Sequence, residues 1–183
     1  MMLMWILVVT TLLVSDVAGS IPIQQNGTDP MDADELWFLI HSLTQGLCDD
    51  KWFYFVDVNS CFRYYPYSMT WNEAQDFCNR YTHYGNLATA TSDRHNTFIS
   101  TVITYVDKKN PTTWIGLNDI WEEGNFAWSD GTSYTYRNWA KSEPSDRQSS
   151  ENCVQIHFFS GTKEWNDSNC GKKHGFVCSY KLH

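Results

Sequence analysis

The spacing of apolar residues changes along this chain, and each change predicts a different kind of element. Two runs with helical spacing, each preceded by a capping residue, predict helices. One begins after Thr70 and ends at Arg80, and the other begins after Ser92 and ends before Asn110. The residues expected to face inward are Trp71, Ala74, Phe77 and Cys78 in the first helix and Phe98, Ile99, Val102, Ile103 and Val106 in the second.

Short apolar segments bounded by turn residues predict β-strands, most of them in the second half of the chain. The predicted strands are Trp52 to Val56 within a small hairpin, Thr113 to Leu117, Phe126 to Trp128, Cys153 to Phe158 and Gly175 to Tyr180. Helices followed by short strands are typical of the α+β class. We therefore predict one α+β domain over residues 48–181.

The N-terminus carries an apolar run from Met1 to Val14, followed by the small residues Val17-Ala18-Gly19. This pattern predicts a signal peptide over residues 1–19 and a secreted, extracellular protein. The run lacks a basic residue at its start, which leaves an uncleaved anchor as the alternative. No other apolar stretch approaches the length of a membrane span, so we expect no membrane insertion of the mature chain.

Residues 20–47 are predicted to form a leader segment before the domain. Its first part is polar and contains the sequon at Asn26, which predicts a glycosylated, exposed tail. From Asp32, apolar residues at helical spacing predict a short amphipathic helix that ends at Gly46. That helix could dock on its own domain or pair with another copy, which leaves a homo-oligomer open.

Charge and cysteine content narrow the function classes. Cleavage after residue 19 removes Asp16 and no basic residue, so the formal charge changes from −8 to −7. An acidic protein of this kind is a poor partner for nucleic acid. The six cysteines behind a signal peptide predict three disulfides, and their number alone allows 15 pairings. The spacing does not match a structural zinc site.

A long stretch between Asn118 and Asn152 has few apolar runs and many polar residues, which is typical of a functional loop region. Carboxylate, amide and hydroxyl oxygens of this kind suit Ca²⁺. We also predict a cis peptide before Pro144, which would turn its two neighbours to the same side. The candidate oxygen ligands in and just after this region are Asp119, Glu123, Glu143, Ser145, Asp146, Glu151, Asn166 and Asp167.

Four short motifs occur in an order that resembles the C-type lectin-like domain. They are Trp114-Ile115-Gly116-Leu117, Glu143-Pro144-Ser145, Glu151-Asn152-Cys153 and Trp165-Asn166-Asp167. The resemblance covers Cys48 to Tyr180 and is to the long form of the domain, similar to secreted fish lectins. It implies two helices, antiparallel sheets and a long calcium-binding loop region. The disulfides it implies are Cys48–Cys61, Cys78–Cys178 and Cys153–Cys170.

The same resemblance implies a site for Ca²⁺ and a sugar. It assigns the main metal site to Glu143, Ser145, Glu151, Asn166 and Asp167, and an auxiliary metal site to Asp119, Glu123 and Asp146 together with Glu151. It implies that two sugar hydroxyls bind the ion directly. Carboxylates only accept hydrogen bonds whereas amides also donate. The carbohydrate-binding residues that the resemblance implies are Glu143, Ser145, Glu151 and Asn166.

Ser145 is a departure from the family pattern, because mannose-type members carry Glu-Pro-Asn and galactose-type members Gln-Pro-Asp. Glu143 matches the mannose type, so we predict mannose-type ligands ahead of galactose. Asn166 also lies in a formal glycosylation sequon, and we expect the fold to hide it. Trp114, Trp128 and Trp165 are expected in the core rather than on a sugar-binding surface.

The predicted function is a calcium-dependent lectin, of the kind that serves innate immune recognition. The alternative is a relative that binds other proteins, or one that binds ice as type II antifreeze proteins do. Paired carboxylates could also serve acid–base catalysis. In this chain they match a metal site, so we predict no enzyme activity and no catalytic residues.

Overall fold

The computed structural model describes residues 47–146, 150–157 and 162–182. The predicted signal peptide, the sequon at Asn26 and the predicted leader helix lie outside the described residues and stay predictions. Leu47, the last leader residue, lies in a turn and is exposed.

The described residues form two α-helices and eight β-strands. The helices are α1 (Trp71–Tyr81) and α2 (Asp93–Val106). The strands are β1 (Phe53–Phe55), β2 (Ser60–Met69), β3 (Asn86–Leu87), β4 (Thr113–Asn118), β5 (Ala127–Trp128), β6 (Cys153–His157), β7 (Glu164–Ser168) and β8 (His174–Lys181), with a 3₁₀ turn at Val56–Val58. The predicted α+β class is confirmed. None of the described helices has the length and apolar character that a bilayer span requires.

Both helices begin where the capping residues predicted. Thr70 accepts a hydrogen bond from the amide of Glu73, and the Glu73 carboxylate accepts one from the amide of Thr70, which makes a capping box. Ser92 accepts a hydrogen bond from the amide of His95. Val106 is 47% exposed, contrary to the prediction that it faces inward, because it is the last helical residue and the backbone becomes extended at the next residue, Asp107.

The strands form one sheet in the order β1-β2-β8-β4-β6-β7, with β3 added beside β8 and β5 beside β4. Most neighbours are antiparallel, as expected, but β4 and β8 run parallel. Strand β2, which the sequence did not predict, pairs with β8 along most of its length. The order places β6 and β7, which carry two of the four motifs, side by side at one end of the sheet.

The core contains the tryptophans that were predicted to lie there. Trp114 and Trp165 are fully buried and Trp128 is 3% exposed. Their polar nitrogens have partners, since the Trp114 indole donates to the Met69 carbonyl and the Trp165 indole to the Asn96 side chain. Gly116 lies against Leu87, and a Cβ there would come within 2.7 Å of the Leu87 carbonyl oxygen.

Three disulfides connect this framework, and their pairing is the one that the resemblance implied: Cys48–Cys61, Cys78–Cys178 and Cys153–Cys170. The second joins α1 to β8 across 100 residues of sequence. The third joins β6 to the residues just after β7. The strands that carry the candidate ligands are therefore linked covalently as well as by their hydrogen bonds.

Candidate functional site

A short segment before the Glu-Pro-Ser motif runs beside β7 and brings two motifs together. The Trp165 amide donates to the Asn138 carbonyl at 2.7 Å, and the Ala140 amide donates to the Trp165 carbonyl at 2.9 Å. The Glu143 amide then donates to the Ala140 carbonyl at 3.0 Å. This pairing sets the Glu143-Pro144-Ser145 turn next to the Asn166-Asp167 end of β7. The Glu143–Pro144 peptide is cis, as predicted.

The Asp167 carboxylate is the centre of the site and is 1% exposed. The Ser145 amide donates to both of its oxygens, at 3.0 and 2.9 Å, and the Asp146 amide donates to Oδ2 at 2.9 Å. The Ser145 hydroxyl donates to Glu151 Oε2 at 3.2 Å. Four of the predicted ligands, Ser145, Asp146, Glu151 and Asp167, are thus joined in one hydrogen-bonded group.

Glu143 lies against the same carboxylate and is the least satisfied member of the group. Its Oε2 is buried and has no hydrogen-bond partner among the described residues. Burial, together with the neighbouring Asp167 carboxyl, raises the pKa of Glu143 above its ordinary value. A buried oxygen with an unused lone pair, held next to a second carboxylate, is a favourable place for a cation.

Asn166 is held by a residue that the sequence did not indicate. Gln155 on β6 lies directly opposite Asn166 on β7, and its Nε2 donates to Asn166 Oδ1 at 2.9 Å. Gln155 is 6% exposed, and its own Oε1 is buried with no partner in the described part of the chain. The only sequence signal for Gln155 was its polar side chain between the apolar residues Val154 and Ile156 of β6. This contact uses one of the two lone pairs of Asn166 Oδ1 and leaves the other for a second partner.

Two of the auxiliary ligands, Asp119 and Glu123, lie in the turn between β4 and β5. Asp119 is 2% exposed; its Oδ2 accepts a hydrogen bond from the Gly124 amide at 2.8 Å, while Oδ1 is buried without a partner among the described residues. Burial is the main cause that raises the pKa of Asp119, and the charge of Asp167 adds to it. Glu123 is exposed, and its Oε2 accepts a hydrogen bond from Nδ2 of the Asn152 side chain at 3.4 Å.

The charges of the two predicted sets act on one another. Partial desolvation, followed by the charges of Asp119 and Asp146 and then that of Asp167 in the main set, raises the pKa of Glu123. Within residues 47–146, 150–157 and 162–182, the ion pairs join Arg80 to Asp76, His83 to Asp49 and Arg94 to Asp57, all outside this region. In this region, the five carboxylates of Asp119, Glu123, Glu143, Asp146 and Asp167 form no ion pair with a basic residue of the described part of the chain.

All eight predicted ligands therefore lie in one region of the surface, but they do not form a closed metal cage. In the part of the chain that the structure describes, no three His, Cys, Asp or Glu side chains are arranged to hold a metal ion as they stand. Hydrogen bonds to amides and hydroxyls occupy some of their oxygens instead. The donor set consists of hard oxygens with excess negative charge, which fits Ca²⁺.

Comparison with known proteins agrees with this architecture. The family described as "Lectin C-type domain" matches residues 67–180. A C-type lectin from Cerberus rynchops is 37% identical over 122 residues, which cover 67% of this chain and 77% of the relative. The galactose-specific lectin nattectin from Thalassophryne nattereri is 35% identical over 122 residues, covering 67% of this chain and 74% of the relative.

Solved structures share the fold. The cow C-type carbohydrate-recognition domain of CD23, determined in the presence of a GlcNAc2Man3 oligosaccharide, is 31% identical with a TM-score of 0.64, covering 74% of this chain and 97% of that one. Herring type II antifreeze protein is 29% identical with a TM-score of 0.66, covering 74% of this chain and all of that one. By sequence and by fold, the chain belongs to the C-type lectin domain family.

Proposed function

We propose that this protein is a calcium-dependent lectin whose sugar ligand binds at the carboxylate cluster around Glu143-Pro144-Ser145. The observation that carries the proposal is the group of five carboxylates without basic partners among the described residues. Two of them, Glu143 and Asp119, also have a buried oxygen that no described group satisfies. Negative charge collected in this way destabilises the metal-free protein and is relieved by a divalent cation.

The residues that would hold the main ion are Glu143, Ser145, Glu151, Asn166 and Asp167. Asp119, Glu123 and Asp146, together with Glu151, would hold an auxiliary one. When bound, Ca²⁺ supplies the positive charge that polarises two neighbouring sugar hydroxyls. To accept the ion, the carboxylates must exchange some of their present hydrogen bonds for the metal.

The chain's own residues provide the remaining recognition. The carboxylates of Glu143 and Glu151 can only accept hydrogen bonds, so they would take protons from sugar hydroxyls. Asn166 can donate through its Nδ2, while the second lone pair of its Oδ1 is available to the ion beside the bond from Gln155. The backbone amides of Ser145 and Asp146 hold the Asp167 carboxylate through three hydrogen bonds. No covalent bond is broken in this scheme, so it describes recognition rather than catalysis.

The sugar class depends on the third residue of the motif. Glu143 favours mannose-type ligands, whereas nattectin, which is named as galactose-specific, favours galactose by analogy. Ser145 offers a hydroxyl, which can donate or accept, and its Oγ currently donates to Glu151. We keep mannose-type ligands as the prediction and galactose as the competing outcome.

The setting that we propose is extracellular, with a role in innate immune recognition.

A second candidate function, ice binding, has one observation in its favour, the shared fold and 29% identity with herring type II antifreeze protein. A measurement of thermal hysteresis distinguishes the two. A lectin has no effect on ice growth, whereas an ice-binding protein separates the freezing and melting temperatures of its solution.

The test of the proposal is a glycan array probed with the protein in calcium and again after addition of a chelator. We expect binding to terminal mannose or galactose in calcium, and its complete loss in chelator. The matched control is Glu122→Gln, which neutralises a carboxylate that bonds Asn125 within the β4–β5 turn and is outside the proposed ligands. Binding that survives chelation, or no glycan bound in calcium, would contradict the proposal.

A further inference from the structure

The large apolar side chain of Trp121, beside the carboxylate cluster, lies almost entirely in solvent. Trp121 is 95% exposed, while Trp52, Trp71, Trp114, Trp128 and Trp165 are all buried. Its neighbour Ile120 is 43% exposed. An indole presents a large apolar surface, and leaving it in water forgoes the free energy of burial. Single exposed apolar residues are common on protein surfaces, so exposure alone does not indicate a function and the position of Trp121 must be considered.

Trp121 lies at the tip of a turn that its own hydrogen bonds hold in shape. The Glu122 amide donates to the Asp119 carbonyl at 3.1 Å, and the Asn125 amide to the Glu122 carbonyl at 2.9 Å. The Gly124 amide donates to Asp119 Oδ2 at 2.8 Å, where Gly124 adopts a φ of +76°. None of these bonds uses the indole. The backbone therefore presents Trp121 to solvent in a defined place.

That place adjoins the carboxylate cluster. The Asp119 amide donates to the Asn152 carbonyl at 3.1 Å, and Asn152 follows Glu151 directly. The Asn152 side chain reaches Glu123. The turn that carries Trp121 is thus bonded to the segment that supplies one wall of the proposed sugar site.

We propose that Trp121 forms a second subsite, which stacks against the sugar unit next to the one held at the cluster. The ligand would then be an oligosaccharide rather than a single sugar. This inference rests on the proposed function. An aromatic ring can pack on the apolar C–H face of a pyranose while the hydroxyls at the ring edge stay hydrated. The exposed carboxylates of Glu122 and Glu123 disfavour an anionic lipid surface or a second copy of the same turn as the occupant.

The test compares a monosaccharide with oligosaccharides that end in the same sugar, using titration calorimetry in calcium. For the wild type we expect the best oligosaccharide to bind about tenfold more tightly than the monosaccharide, which corresponds to about 1.4 kcal/mol. Trp121→Ala should lose that difference and keep the monosaccharide and calcium affinities. Trp121→Phe should keep most of it. Tyr81→Ala, which removes a 73% exposed ring at the end of α1, is the control and should change nothing.

The outcomes separate this inference from the function beneath it. If the wild type binds no sugar in calcium, the proposed function fails and the subsite fails with it. If the wild type binds sugars and Trp121→Ala keeps the full preference for the oligosaccharide, only the subsite is wrong. Equal losses for both ligands would also overturn it, as would a dimer in sedimentation velocity that Trp121→Ala abolishes. That last result would assign the indole to a contact between copies.

Discussion

Replacing Glu143 by Gln should have opposite effects on calcium binding and on the stability of the metal-free protein. The carboxylate has a buried oxygen without a partner among the described residues and lies beside Asp167. The Gln side chain has the same shape, but it removes one negative charge and adds an N–H group that can donate a hydrogen bond to the Asp167 carboxylate. The metal-free variant should therefore gain about 1 kcal/mol, the usual net contribution of one hydrogen bond. For a chain of this size, that raises Tm by about 2 to 4 °C.

The calcium affinity of Glu143→Gln should fall. Gln keeps one oxygen for the ion and loses the charge, so we take the lower end of the range for removing one member of a buried charge pair. That is about 2 kcal/mol, or about 30-fold in Kd. A ligand that stabilises the fold less also raises Tm less, so the calcium-induced shift in Tm should shrink in the same variant.

Titration calorimetry with Ca²⁺ and thermal unfolding in chelator and in saturating calcium measure both effects. Glu122→Gln is the matched control, because it removes a carboxylate from the neighbouring turn without altering a proposed ligand, and it should leave both readouts near the wild type. An unchanged calcium affinity in Glu143→Gln would mean that Glu143 is not a ligand. A lower Tm in chelator would refute the idea that its carboxylate is unsatisfied.

Three further predictions concern the surroundings of the site. Gln155→Leu should change Tm little, since it also removes a buried unpaired oxygen, but should weaken sugar binding about fivefold by releasing Asn166, which corresponds to about 1 kcal/mol, the net contribution of one typical hydrogen bond; calorimetry with the sugar checks this, and unchanged affinity would contradict it. Gly116→Ala should lower the free energy of unfolding by about 1 to 3 kcal/mol in denaturant titrations, because its Cβ would meet the Leu87 carbonyl; a loss near zero would show that the strands can separate freely. Burial raises the folded-state pKa of Glu143, so protonation favours the folded metal-free protein, and acidification should raise its Tm in chelator while lowering Tm and calcium affinity in calcium; the same trend in both buffers would contradict this.

Local sequence signals predicted the parts of the fold that depend on local chemistry. Thr70 and Ser92 mark the starts of α1 and α2, because each side chain satisfies an amide that the helix leaves free. The predicted burial of Trp114, Trp128 and Trp165 is also confirmed. The disulfide pairing did not follow from spacing, which left 15 possibilities, and came from the family resemblance.

Features that depend on the partner strand were not predictable from the chain alone. Strand β2 contains Pro66, which interrupts the alternation and coincides with a shift in register against β8 between Tyr65 and Met69. The parallel pairing of β4 and β8 joins segments far apart in sequence. Gln155 gained its role only because β7 lies opposite it and presents Asn166. The exposure of Trp121 likewise depends on how its turn leaves the sheet.

Mutual dependence of calcium and sugar binding tests the central claim most directly. If the sugar contacts the ion, each ligand must raise the affinity for the other by the same factor. We predict that calorimetry with the purified protein detects no sugar binding in chelator, clear binding in calcium, and a lower calcium Kd when sugar is present at saturation. Sugar binding of equal strength with and without calcium would contradict the account.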